Sequence, residues 1–186
     1  MTFPSDILVH DVHPQKSTRL RFIIYILPGN PGLISFYEPF ANALVSFLRA
    51  REGINKAAIR VCGKSYRGFE VSTSSSSSCT SNEDRSDSGP FGLTDTIAAC
   101  ARDVESFADA DPSTPSTKVI LIGHSVGAYI LLELLARRTE LGRVDLIGGI
   151  LVFPTVTYIA RSRLGRIITV CFPHISQLLF RPRHLN

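Results

Sequence analysis

Gly123-His124-Ser125-Val126-Gly127 sets a serine between two glycines, after the apolar run KVILI at 118–122 and before VGAYILLELLARR at 126–138. A serine in the pattern G-x-S-x-G can be a nucleophile. A sharp turn from strand to helix holds its hydroxyl above the sheet edge, and small flanking residues let neighbouring backbone pass close by. The next amide, that of Val126, points into the same space and can donate to an oxyanion. The start of the helix adds a potential that favours negative charge. Gly123, His124 and Gly127 complete the elbow, with His124 expected to line or pack rather than to act as a base.

A second loop could finish an oxyanion site. Pro28-Gly29-Asn30-Pro31-Gly32 ends the apolar run RFIIYIL at 21–27. Glycines let amides approach a ligand, and prolines stiffen the loop against reorganisation as charge develops. The contributing amide is expected from Asn30 or Gly32, and the sequence does not choose between them.

A serine hydroxyl needs a base, and the base needs an orienting carboxylate. After Ser125 the only acids are Glu133, Glu140 and Asp145. Glu133 falls within the helix that follows the serine. Glu140 and Asp145 fall at the start of the next strand, and a strand of eight residues spans roughly 25 Å. His174 and His184 are candidate bases, but Pro173 beside the first and the chain end beside the second favour ordinary loop roles. His10 and His13 are expected to precede the fold. A serine–histidine–acid triad is therefore not completed by these residues.

The elements that must position the serine are read from periodicity. RFIIYIL at 21–27 reads as a buried strand, and Phe36, Phe40, Ala43, Leu44, Phe47 and Leu48 mark a helix over Ser35–Arg49. Ala57–Val61 is a weaker strand, Thr94–Ala108 a helix capped by Thr94 or Asp95, and Lys118–Ile122 the clearest strand. Val126–Arg138 is a strongly apolar helix and Val144–Val152 another strand. This alternation implies an α/β fold: a mostly parallel sheet, right-handed crossovers and helices on both faces. The stretch at 72–90 is rich in serine and lacks large apolar residues, so it is expected to be a disordered insertion in a single domain.

Composition narrows the chemistry. The chain has 186 residues, 44% of them hydrophobic, enough for one domain with a sizeable core. A formal charge of +4 gives little reason to expect nucleic acid. Cys62, Cys79, Cys100 and Cys171 lack CxxC spacing, so free thiols are expected and no metal. No cofactor is expected either, because no G-x-G-x-x-G or P-loop follows a strand. The N-terminus lacks the pattern of a secretory signal. Beyond Asp145 there is no acid, while Arg161, Arg163, Arg166, Arg181 and Arg183 flank the apolar Leu164–Phe180. That tail at 161–186 reads either as a segment lying on a lipid monolayer, or as a cap helix packed on the sheet or an exposed remnant whose partner strands are missing.

The segments ILPGNPGLISFYEPF, LIGHSVGAYILLELL and GGILVFPTV, in this order, resemble the lipid droplet-associated hydrolase family, a branch of the α/β-hydrolases, over roughly residues 20 to 170. The resemblance implies Ser125 as the nucleophile of a serine esterase or lipase-like enzyme acting on a neutral lipid or sterol ester. It also implies a lipid droplet location, with a cytoplasmic or endoplasmic reticulum pool. The expected fold is then a partial α/β-hydrolase fold, C-terminally truncated and lacking its last strands. The competing expectation is an inactive scaffold that binds lipid droplet or membrane surfaces.

Overall fold

The computed structural model describes residues 5–12, 20–51, 57–70, 91–108, 117–142 and 144–155. The serine-rich stretch at 72–90 and the tail at 161–186 lie outside them, as do His13, Cys79, Cys171, His174 and His184. The described strands are β1 (Ile7–Asp11), β2 (Arg21–Leu27), β3 (Ala58–Lys64), β4 (Lys118–His124) and β5 (Asp145–Val152). The helices are α1 (Glu38–Arg49), entered through a 3-10 turn at Ile34–Tyr37, then α2 (Leu93–Ala108) and α3 (Val126–Ala136). A second 3-10 turn, Arg138–Glu140, follows α3.

The sheet runs β1-β3-β2-β4-β5. β1 is antiparallel to β3 and every other pairing is parallel. Side chains alternate across the pleat, so β2 feeds two cores. Tyr25 and Leu27 pack with Ile97, Cys100 and Val104 of α2 and with Ile130, Leu131 and Leu134 of α3. Ile24 and Ile26 face the other way, onto Ile34 and onto Ala41 and Val45 of α1. Helices thus cover both faces. Each fully buried Leu or Ile contributes about 1.5–3 kcal/mol relative to exposure.

The order of crossovers fixes where a ligand can bind. From β2 the chain passes through α1 to β3 on one side. It then returns over β2, through α2, to β4 on the other side. The direction reverses between β2 and β4, and the loops leaving the carboxyl ends of those two strands diverge there to leave a crevice. Leu27 pairs with Gly123 in the register, so Pro28–Gly32 and His124-Ser125 emerge side by side.

Several elements differ from the reading of the sequence: β3 runs on to Lys64, and α1 begins at Glu38 after its 3-10 turn. β1 adds an antiparallel edge strand, and His10 belongs to it: its Nε2 lies 2.9 Å from Glu38 Oε1. ILVHD buries only Leu8 fully and leaves Ile7 and Val9 outward, so alternation gave no contrast. α2 begins at Leu93, and neither Thr94 nor Asp95 is its cap. The Gly92 carbonyl accepts the first helical bond from Thr96, and Asp95 reaches back from the first turn to accept the Gly92 N–H at 3.0 Å. α3 stops at Ala136, short of Arg138.

Candidate active site

Ser125 joins β4 to α3 at φ 52° and ψ −117°. A serine before a helix is ordinarily an extended N-cap whose hydroxyl bonds an amide of the first turn. Ser125 stands in the N-cap position, but its side chain makes no cap bond. A positive φ on a residue with a Cβ is costly, of order 1–3 kcal/mol, and persists only where the surroundings impose it. Here they do. The Ser125 N–H donates to the Val152 carbonyl at 3.1 Å, and its own carbonyl accepts from Ala128 N–H at 3.0 Å.

The flanking glycines are required by close approach. A Cβ on Gly123 would lie 2.5 Å from the Gly127 carbonyl oxygen and 2.7 Å from Ala128 Cα. A Cβ on Gly127 would strike the Leu27 carbonyl and lie 2.6 Å from that of Pro28. The first turn of α3 therefore rests directly on the end of β2, where the second loop begins. That loop passes over the serine: a Cβ on Gly29 would be 2.6 Å from His124 Nδ1 and 3.1 Å from Ser125 Cβ.

Two tyrosines strap the loop. Tyr66 donates its hydroxyl to the Pro28 carbonyl at 2.7 Å, and its N–H donates to the Gly32 carbonyl at 2.9 Å. Burial holds the Tyr66 phenol well above its ordinary range, so it remains a donor. The Gly29 N–H donates to Tyr37 Oη at 2.7 Å, and the same oxygen lies 2.7 Å from His124 Nδ1. Burial also raises the Tyr37 phenol, against a smaller lowering by the Gly29 N–H. Which of Tyr37 Oη and His124 Nδ1 donates follows the His124 tautomer. In either tautomer the Tyr37 contact occupies Nδ1 of His124. His124 lines the site.

The amides sort by their partners. Gly32 N–H is already given to the Gly29 carbonyl at 2.7 Å. Among the described residues, the N–H groups of Asn30 and Val126 make no such bond. The Asn30–Pro31 peptide is cis.

A cavity of about 390 Å³ opens at this point, lined by Ile26, Gly29, Asn30, Phe36, Tyr37, Phe40, Ile122, His124 and Val152. Its walls are mainly apolar. His124 packs edge-on against Tyr37 and Phe153, with ring centroids 5.9 and 6.2 Å apart. Phe153, just past β5, is the second described non-glycine residue at positive φ, 45°.

The acids are elsewhere. Asp145 pairs with Lys118 at 2.9 Å, at the amino ends of β5 and β4. Glu133 pairs with Arg137 along α3 at 3.1 Å. No group of three or more His, Cys, Asp or Glu that could hold a metal occurs among the described residues. Reasoning from sequence missed Tyr37, Tyr66 and Phe153. SFYEPF does place a tyrosine at a helix start beside the glycine loop, but nothing local says that its hydroxyl reaches His124.

Fold and site define an α/β protein with its crevice at the carboxyl edge of a parallel sheet, where the strand order reverses. Residues 20–185 match the family described as lipid-droplet associated hydrolase, and the chain belongs to it. The human lipid droplet-associated hydrolase is 33% identical over 158 residues, covering 84% of this chain and 45% of the relative. The mouse relative of the same name is 29% identical over 175 residues, 92% of this chain and 49% of the relative. The Drosophila melanogaster relative is 28% identical over 149 residues, 79% and 43%. The chain thus spans about half the length of these relatives.

Proposed function

We propose that the chain carries the nucleophile half of a lipid ester hydrolase, with Ser125 as nucleophile. The observation that carries this reading is the Ser125 backbone, at φ 52° and ψ −117° in a cap position where the hydroxyl does not cap. Helix capping, the ordinary reason for a serine there, does not account for it. The relatives are named lipid droplet-associated hydrolases, which supports a lipid substrate, and the apolar cavity suits an acyl or sterol chain.

In the proposed reaction the Ser125 oxygen attacks the ester carbonyl carbon. The carbonyl oxygen takes the negative charge and is met by the N–H groups of Val126 and Asn30. The tetrahedral intermediate collapses with loss of the alcohol, leaving an acyl ester on Ser125 that water then cleaves. The histidine that takes the serine proton is one other than His124, and its carboxylate partner is neither Glu133 nor Asp145. Fixed donors need no reorganisation as charge develops, which is what the tyrosine straps on the Pro28–Gly32 loop supply.

A second reading, a lipid-surface protein without turnover, is favoured by the seclusion of Glu133 and Asp145 in their own ion pairs. A fluorophosphonate probe separates the two. The hydrolase reading expects covalent labelling that is lost in Ser125→Ala and blocked by a long-chain ester. Absence of labelling in the unsubstituted protein would sink it and leave the surface protein.

A further inference from the structure

Helix α1 and the turn before it expose three phenylalanines. Phe36 is 66% exposed, Phe40 45% and Phe47 56%. At 3.6 residues per turn a step of seven returns Phe40 and Phe47 to one side of α1, and Phe36, in the 3-10 turn before it, shares the cavity wall with Phe40, so the three rings make a stripe. Ala41 and Val45 bury the opposite side against the sheet. The polar groups project from a third sector. Glu38 faces Asn42 and His10, and Arg49 is tied to the Asp11 and Val12 carbonyls. Between Phe36 and Phe47 the stripe's own side carries Pro39, Ala43 and Ser46, with no charge.

A helix that faces water would carry polar residues there. We propose that this stripe is the surface on which the molecule rests on a lipid monolayer, with the cavity mouth opening into the lipid. The claim about the mouth rests on the hydrolase reading; the claim about the surface does not.

Two observations choose lipid over a protein partner. First, the stripe runs into the cavity: Phe36 and Phe40 are both exposed and part of the cavity wall. A protein seated on the stripe would shut the mouth, whereas a monolayer would feed it. An ester could then move from the lipid phase along continuous apolar surface without entering water. Second, the stripe ends in a cation. The Arg51 guanidinium lies 4.7 Å above the centre of the Phe47 ring. An aromatic ring immersed among acyl chains with a guanidinium at head-group height is the arrangement expected of a helix lying in an interface. On the other side of His124, Phe153 is 81% exposed and extends the apolar rim.

The absence of tryptophan from the sequence makes a direct test possible. Phe47→Trp would place a single reporter on the stripe outside the cavity wall, and Leu20→Trp one at the amino end of β2. Both would be titrated with triolein droplets coated with phosphatidylcholine. The Phe47→Trp emission should shift to the blue on addition of droplets, and that of Leu20→Trp should not. Phe47→Ser should lower partition onto floated droplets by roughly tenfold, with turnover of a water-soluble butyrate ester unchanged. The proposal is overturned if Phe47→Trp emission is indifferent to droplets, or if Phe47→Ser floats like the unsubstituted protein. It is also overturned if the emission is already blue without lipid and depends on protein concentration, which would mark a second copy on the stripe. Loss of flotation in Phe47→Ser, in a protein that turns over no ester at all, would uphold the surface and reject the hydrolase.

Discussion

Tyr37 is the residue on which the site's geometry turns. Its single oxygen accepts the Gly29 N–H and lies within hydrogen-bond distance of His124 Nδ1, joining the loop after β2 to the end of β4. Tyr37→Phe keeps the ring and removes both bonds. An amide and an imidazole nitrogen then lose their partners in a half-buried place, a loss of about 1–3 kcal/mol. If Asn30 supplies an oxyanion donor, that loop also loses its register over Ser125. Turnover should then fall by roughly tenfold or more at nearly constant KM, because the interaction is made in the transition state. Steady-state kinetics beside a urea titration would check it; unchanged turnover in a destabilised variant would make Tyr37 purely structural. The strand-to-helix turn at Ser125 was legible in the sequence because its pattern, small residues at 123 and 127 between two apolar runs, is local. The Tyr37–His124 contact joins positions 87 apart, and no local pattern carries it.

At the scale of elements, the critical joint is the start of α3 against the end of β2. Gly127 leaves no room for a side chain between α3 and the Leu27 and Pro28 carbonyls. The Leu27 carbonyl is backbone of a central strand and that of Pro28 is held by the Tyr66 hydroxyl, so neither can retreat without breaking sheet pairing or that bond. Gly127→Ala should therefore destabilise the fold by about 3 kcal/mol, seen as a lower urea midpoint at unchanged slope. A midpoint within error of the parent would show that the helix can slide. The apolar runs of β2 and β4 announced themselves because both faces of these strands are buried, and the stripe of α1 showed as helical periodicity. β1 did not, since a five-residue edge strand with outward Ile7 and Val9 has no pattern apart from its partner. The stripe that the periodicity marked through Phe36, Phe40 and Phe47 is exposed, while burial falls on Ala41 and Val45. Spacing reveals which side of a helix is apolar, not what covers it.

Across the whole molecule, the core shared by α2, α3 and the sheet sets a limit at high pH. Cys62 and Cys100 are both free and buried there. Burial is the main cause that pushes each thiol from 9.0 up to about 12, in Cys62 against the nearby Arg60 and in Cys100 against Lys64. A raised pKa in the folded state means that the folded chain holds its proton when the unfolded chain has lost it. The stabilising difference is thus intact below pH 9 and disappears as pH climbs towards 12. By pH 10 each thiol should have removed on the order of 1 kcal/mol. Tyr25 and Tyr66, raised by the same burial, act in the same direction at still higher pH. Urea midpoints taken from pH 8 to pH 10 should therefore fall, and Cys100→Ala, although less stable at pH 8, should fall less steeply. Equal slopes in the two proteins would mean that water reaches the thiol in the folded state, and that the packing of α2 on the sheet is looser than the contacts of Ile97, Cys100 and Val104 require.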